Sequence, residues 1–400
     1  MSVDTMKPGH IESLEIKNYR MFRHVTLKEL QPVTVVIGAN GTGKTTLLDI
    51  FTFLQDSLQQ NVSAAVAKRG GFGQLVSRGE HGPIEITVKF RNESRQLVTY
   101  GLQIDERQGR AVVAAEQLKY RRGQRGKPWL FLDFVDGKGK AITNESAYRD
   151  DDTKAKRREY TLDDSSILAI KGLGQFEEFK VASMFRNLIE KWYVSDFHID
   201  DARVVSDTGY AEHLSKRGDN IAQVTHFLHE SHPEAFESVL EAMRRRVPGV
   251  KEVAAHATED GRLALRFQDD SFKEPFNARF VSDGTIKMFA YLTLIYNPEL
   301  HPILAIEEPE NYLYPKLIPE LVDEFRHYAN RGGQVFITTH SPDFLNEVEL
   351  KEIVCLSKEQ GFTVAERPVD TKLVKALVAE GEVPGRLWKQ GLLFDHKLGG

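Results

Sequence analysis

The stretch Pro32–Leu54 reads PVTVVIGANGTGKTTLLDIFTFL, and the fold follows from it. An apolar β-branched run, Val33, Val35, Val36 and Ile37, enters Gly38-Ala39-Asn40-Gly41-Thr42-Gly43-Lys44-Thr45, and an amphipathic helix leaves through Leu47, Leu48, Ile50 and Phe51. Strand, glycine-rich loop and helix in this order are the context of a phosphate-binding P-loop. Gly38, Gly41 and Gly43 let successive backbone N–H groups turn toward one anion, and the helix that follows adds its positive N-terminal dipole. Lys44 is placed to reach the β- and γ-phosphates of ATP, and the Thr45 hydroxyl to bind Mg²⁺. Asn40 and Thr46 complete the nucleotide-binding candidates of this loop.

Four hundred residues exceed one small core, so one large domain or two lobes with an insertion is expected. The hydrophobic share of 41% and charged share of 28% describe an ordinary globular chain. A net charge of −5 gives no global attraction to nucleic acid, so any such binding needs a local patch. The single cysteine, Cys355, lies in the apolar run Ile353–Leu356 and reads as a buried small hydrophobe. No disulfide can form within the chain, which fits a reducing, cytoplasmic setting. The stretch MSVDTMKPGHIESLEIKNYR lacks an apolar signal core, and no run of about 18 apolar residues occurs, so no membrane span is expected.

Alternation of apolar and polar residues from Ile11 to Glu29 predicts two half-buried strands before the P-loop strand, joined through Lys17-Asn18-Tyr19-Arg20-Met21-Phe22. Residues 55–82 read as a polar, glycine-rich loop at a lobe edge. Alternation returns at Ile84–Phe90, Leu97–Ile104, Ala111–Tyr120 and Leu130–Val135, which predicts an antiparallel meander beside the nucleotide site. Arg121–Lys127 and Lys154–Arg158 are basic clusters able to contact phosphate backbones, although Asp150–Asp152 and Asp163-Asp164 beside the second equally suit solvated loops. Helical periodicity then covers Val181–Trp192, Ile221–Glu230 behind an Asp219 cap, and Pro233–Arg246, without a sustained heptad. The expected division is 1–140 as a first ATPase lobe, 141–250 as a mostly helical insertion and 251–400 as a second lobe.

In the second lobe, strands at Leu263–Phe267 and Ala278–Val281 lead into Ser282-Asp283-Gly284-Thr285, a polar turn that opens an apolar helix. The buried strand Ile303–Ile306 follows and ends in Glu307-Glu308-Pro309-Glu310, paired carboxylates that need a cation beside them. Another apolar strand, Gln334–Thr339, delivers His340-Ser341-Pro342 at its carboxyl end, the edge where open α/β sheets bind ligands.

Together, the Asn-aromatic-Arg-x-Phe turn, GxNGxGKT, SDG, EEPENYLYP and TTHSPDFL resemble the motif set of ABC-type ATPases, and specifically the RecF, SMC and OLD-like branch in a compact form without a coiled-coil arm. The resemblance spans roughly residues 10–55 and 215–390. It implies an α/β, two-lobed ABC-type P-loop NTPase with an antiparallel β subdomain and a helical insertion. It further implies two copies closing head to tail on two ATP molecules. Ser282 and Gly284 of the signature would then touch the γ-phosphate held by the partner's Gly38–Thr46 loop, and Asn311 would lie on the seam. Glu308 would act as general base on the attacking water, His340 would sense or stabilise the γ-phosphate, and Thr45 and Glu307 would serve Mg²⁺. The family usually carries Asp where this chain has Glu307, and the longer side chain suits binding through water. The turn's Arg20 would approach the phosphates; an ordinary solvated turn arginine is the other reading. Gln175, in Gly172-Leu173-Gly174-Gln175-Phe176, is the candidate Q-loop glutamine, although glutamines beside glycines are common on surfaces.

The function this implies is an ATP-driven dimeric switch acting on nucleic acid or on a separate effector, such as a Toprim-like nuclease, in anti-phage defence or DNA maintenance. No further acidic cluster of the kind a nuclease needs follows the ATPase motifs, and the end of the chain from Asp370 reads as a short helix pair. A transporter's nucleotide-binding subunit and an ATP-binding scaffold with negligible turnover are the alternatives.

Overall fold

The computed structural model describes residues 9–92, 95–120, 128–144 and 156–393. The basic stretch Arg121–Lys127, Lys154, the Asp150–Asp152 run and the last seven residues lie outside them. The strands are β1 Ile11–Tyr19, β2 Phe22–Leu27, β3 Val33–Gly38, β4 Ile84–Arg91, β5 Leu97–Arg107, β6 Arg110–Tyr120, β7 Trp129–Val135, β8 Lys138–Ile142 and β9 Arg157–Thr161. They continue as β10 Tyr193–Ser195, β11 Val250–Ala257, β12 Leu263–Asp269, β13 Phe276–Asn277, β14 Ile303–Glu307, β15 Gln334–Thr339, β16 Ile353–Glu359 and β17 Phe362–Glu366.

Strands of two kinds make two large sheets. Those with one apolar face, such as β4 and β5, pair antiparallel in the order β2-β1-β4-β5-β6-β7-β8-β9. Those apolar throughout, β3, β14 and β15, are buried on both faces and pair parallel in the order β10-β14-β15-β3-β16, with β17 antiparallel at the edge. A small sheet, β11-β12-β13, stands apart. In β3 the period of two divides the side chains between cores: Val36 faces the first, and Val33, Val35 and Ile37 face the second.

The P-loop helix Lys44–Gln59 lies in the first core, between the two sheets. Phe51 packs its ring 5.3 Å from Trp192 and 5.0 Å from Phe336. Beyond it, Phe185 of the helix Lys180–Glu190 stacks on Phe90 of β4 at 4.6 Å. The second core packs the helices Ile221–Ser231, Pro233–Arg246, Asp283–Ile295 and Ile318–Arg331 against the other face of the parallel sheet. Cys355 is buried there, as its apolar neighbours require.

Residues 55–82 are more ordered than their composition suggests. The P-loop helix runs on to Gln59, and Val62–Ala67 and Phe72–Leu75 form two further helices. Asn61 Oδ1 caps the first of these by accepting from Ala64 N at 2.8 Å, and Val62, Ala65, Val66 and Leu75 are buried. Short apolar stripes interrupted by glycine leave too little periodicity to read. Ala278–Phe280 is a 3₁₀ turn rather than a strand. The helix at Ile221 is capped by Asn220, not Asp219, and Asn220 Oδ1 accepts instead from Ser215 N.

Segment 141–250 does not form a unit of its own. β8 and β9 complete the antiparallel sheet, the helices Ala169–Leu173 and Lys180–Glu190 enter the first core, β10 joins the parallel sheet, and the two helices spanning 221–246 enter the second core. A helix with one apolar stripe must bury it on an existing sheet face, whichever lobe supplies that face.

Glu116, at 0% exposure on β6, ties these parts together. Its carboxyl accepts from the Ala169 and Ile170 amides that open the Ala169–Leu173 helix and from the Tyr100 hydroxyl. Burial pushes it up from an ordinary 4.5 to about 7, although all three donors favour the anion. The folded state therefore binds this proton more tightly than the unfolded chain, and stability falls as pH rises from about 4.5 to about 7. Glu116 should cost roughly 3 kcal/mol above that window relative to below it. In urea titrations at pH 5 and pH 8, Glu116→Gln should flatten the drop in midpoint seen for the parent chain. An unchanged drop would show that the linked proton sits elsewhere.

Candidate functional site

The parallel register sets the site. Glu307 at the end of β14 stands opposite Thr338 of β15, and Thr338 and Thr339 stand opposite Val36 and Ile37 of β3. Three chain exits, the P-loop, the Glu307–Glu310 turn and His340, thus leave the sheet at one carboxyl edge.

Gly41 and Gly43 of the loop both take positive φ. Gly43 has φ +104°, and a Cβ there would lie 2.7 Å from Phe22 of the Asn18–Phe22 turn, so that turn braces the loop from below. Lys44 is 6% exposed, and its ammonium donates to Gly38 O at 2.9 Å and Ala39 O at 3.2 Å. Burial lowers its pKa while Glu308 and then Glu307 pull it back up. Thr45 Oγ1 donates to Glu307 Oε1 at 2.5 Å, which puts a hydroxyl and a carboxylate side by side, the oxygen donors a hard cation uses.

Glu308 is held from several sides. Its N–H donates to Thr338 O at 2.8 Å, Asn311 Nδ2 donates to Oε2 at 2.7 Å, and His340 Nε2 lies 3.2 Å from Oε1. Burial and the nearby Lys44 charge hold His340 below its usual pKa against Glu308 and Glu307, which favours the neutral ring. Glu310 points inward, accepts from Thr339 Oγ1, and is raised by burial.

Ser282 is the N-cap of the helix Asp283–Ile295: its Oγ accepts from Thr285 N at 3.3 Å and lies 2.8 Å from Thr285 Oγ1. Ser282, Gly284 and Thr285 open into a cavity of about 590 Å³ shared with Tyr312, Tyr314 and Arg246. The turn is fixed by Arg203, whose guanidinium donates to Val281 O at 2.7 Å and Asp283 Oδ1 at 2.6 Å.

The remaining candidates fall elsewhere. Arg20 pairs with Asp49 of the P-loop helix at 3.1 Å, in a network where Asp49 also accepts from Tyr19 Oη and Arg69. Gln175 is exposed in the turn after Ala169–Leu173, and its amide donates to Lys171 O at 3.2 Å. The strand beside β14 is β10, with Ser195 opposite Ile306, so the segment that leaves the sheet next to Glu307 is Asp196-Phe197-His198. Only the strand order reveals this, because β10 is three residues long and leaves no periodic trace. Arg203 was likewise illegible: a lone arginine in a polar stretch carries no signal.

A family model described as "AAA domain, putative AbiEii toxin, Type IV TA system" matches residues 33–346, from the P-loop strand to the segment after His340. The chain belongs to that AAA-domain family. Its fold is shared with solved Smc head structures. The SmcHead bound to the C-winged helix domain of ScpA is similar at TM-score 0.54 and 14% identity, covering 89% of this chain and 97% of that one. The Smc head with an extended coiled coil bound to the C-terminal domain of ScpA, derived from Pyrococcus furiosus, is similar at TM-score 0.54 and 13% identity, covering 93% and 98%. No curated protein matches the sequence. The shared architecture is the P-loop ATPase fold with its large antiparallel sheet, and no helix among the described residues is long and apolar enough to cross a membrane.

For this AAA-domain protein, Lys44→Met keeps the buried volume and removes the charge. Saturating MgATP should raise the unfolding temperature of the parent chain by mass action, and this rise should vanish in Lys44→Met, with the ligand-free midpoint within a few degrees of the parent. A full ATP-induced shift in the variant would remove Lys44 from the phosphate site.

Proposed function

We propose that the protein is an ATP-hydrolysing switch that closes as a head-to-tail dimer on two nucleotides. The observation that carries this reading is the separation of the two half-sites. Ser282 and Gly284 line their own cavity with Tyr312 and Tyr314, which are 69% and 62% exposed, while Lys44 and Thr45 gather with Glu307 and Glu308 at the sheet edge. A phosphate on one chain's loop meets a signature turn when a second copy supplies it.

In this reading the Gly38–Thr46 loop and Lys44 bind the phosphates, and Glu308 takes a proton from the attacking water. Asn311 and neutral His340 aim that carboxylate, and His340 stands ready to donate toward the γ-phosphate. Thr45 and Glu307 would hold Mg²⁺, which when bound neutralises phosphate charge. Arg20, paired with Asp49, supports the helix behind the loop. The Smc heads in the similar structures hold ScpA domains, and by that likeness this head would pass its state to a separate protein. Such a protein would be an effector, for instance a nuclease, serving anti-phage defence or DNA maintenance, with nucleic acid as a further ligand.

Glu308→Gln keeps shape and loses the base, so turnover should fall by at least about 100-fold while ATP affinity holds. Light scattering after gel filtration in MgATP should then show a dimer that the parent chain forms only transiently. A monomeric, fully active Glu308→Gln would overturn both the base and the switch. Ser282→Arg should bind ATP yet not hydrolyse it, and mixing it with Lys44→Met should restore part of the rate through heterodimers with one intact composite site. Verified heterodimers without any rate would argue against the head-to-tail arrangement.

A further inference from the structure

The helix Asp283–Ile295 grips the Glu308–Leu313 segment at two points about one turn apart. At Gly284 the contact is backbone to backbone, since a Cβ there would stand 2.8 Å from Tyr312 O. At Lys287 it is polar: the ammonium donates to Glu308 O at 3.2 Å and to Asn311 O at 2.9 Å, with the Tyr291 and Tyr312 rings 5.6 and 5.7 Å away. Lys287 is only 5% exposed. A buried ammonium is costly, and a methionine would fill the same space without that cost, so packing does not account for a lysine here.

The segment it holds needs holding. Glu308 has φ +44° and Tyr312 φ +68°, left-handed conformations that side-chain-bearing residues adopt at a cost on the order of 1 kcal/mol or more and keep only when their surroundings fix them. At Glu308 the N–H is fixed by Thr338 O and the C=O by Lys287 Nζ and Asn311 N. With both peptide planes set, the Cα–Cβ direction is set, and it carries the carboxylate between Asn311 Nδ2 and His340 Nε2. Without Lys287 the C=O keeps only the Asn311 N–H, and that plane is held less firmly.

We propose that Lys287 is a positioning residue: it pins the left-handed backbone of Glu308, aims that carboxylate, and ties it through one rigid helix to whatever the signature turn at Ser282 binds. The proposal rests on the reading of Glu308 as the base. One helix then serves two nucleotides, with Ser282 at its start facing the partner's and Lys287 holding the water-activating group for its own. Hydrolysis in one site would thereby feel occupancy of the other.

The test is Lys287→Met in the full chain, with Lys287→Gln, which keeps one shorter donor, as the milder variant. Amide hydrogen exchange across residues 307–313 without nucleotide should speed at least about tenfold in Lys287→Met and less in Lys287→Gln. The kcat for ATP should fall roughly 10- to 100-fold while KM and nucleotide affinity stay within about threefold, because the lost interaction acts only on the transition state. Added to Glu308→Gln, Lys287→Met should cost less than about twofold more, since the group it aims is already gone. Unchanged exchange in both variants overturns the pin. Faster exchange with unchanged kcat, or a full additional loss on top of Glu308→Gln, overturns the positioning role and leaves a structural lysine. If Glu308→Gln alone hydrolyses ATP normally, the base assignment fails instead, and the exchange data still decide whether Lys287 holds this backbone.

Discussion

Paired carboxylates at the end of a buried strand need a cation facing them, and the molecule is arranged around that requirement. Glu307 and Glu308 leave β14 one strand away from β3, whose loop brings Lys44 to the same edge, and each carboxylate raises the lysine's affinity for its proton while burial opposes them. The strand between, β15, contributes Thr338 O to the Glu308 amide and His340 to its carboxylate. The order β14-β15-β3 thus brings both carboxylates close enough to act on the Lys44 ammonium.

The two cores follow from the same strands. Because β3 and β15 are apolar on both faces, each sheet face demands a cover. One is met by the P-loop helix and the antiparallel sheet behind it, the other by the signature helix and its neighbours. The P-loop and the Ser282 turn thus stand on helices packed against opposite faces of one sheet.

Some of the residues held in left-handed conformations flank the candidate site, while others, Glu29, Gln108, Asp136 and Gln360 among them, sit in other turns. Asn18 and Arg20 in the turn below the P-loop, and Glu308 and Tyr312 past β14, all adopt positive φ. Each pair is braced by polar contacts from elsewhere in the chain: Asn18 through Gly82 O and Ser77 N, Arg20 through Asp49, and Glu308 through Thr338 and Lys287. Such conformations turn side chains away from the strict alternation between sheet faces that an extended strand imposes.

The sequence by itself determined the P-loop, the SDG turn, the acidic strand end and the His340 strand end, because each is a local pattern: an apolar run of β-branched residues, then residues whose backbone freedom or charge has one use at that spacing. The order of those patterns resembles that of ABC-type ATPases, and through that resemblance it also indicated the fold class. Tertiary structure alone decided which segment borders Glu307, because β10 is too short to carry a period and its place is set by pairing with β14. It moved Gln175 to a surface turn and gave Arg20 to Asp49. It distributed the 141–250 helices between two cores, and it chose Arg203 and Lys287 as the residues that fix the signature turn and the Glu308 backbone. These are long-range contacts between single polar side chains and carbonyl groups. Their donors look ordinary in the chain, and only folding brings the acceptors to them.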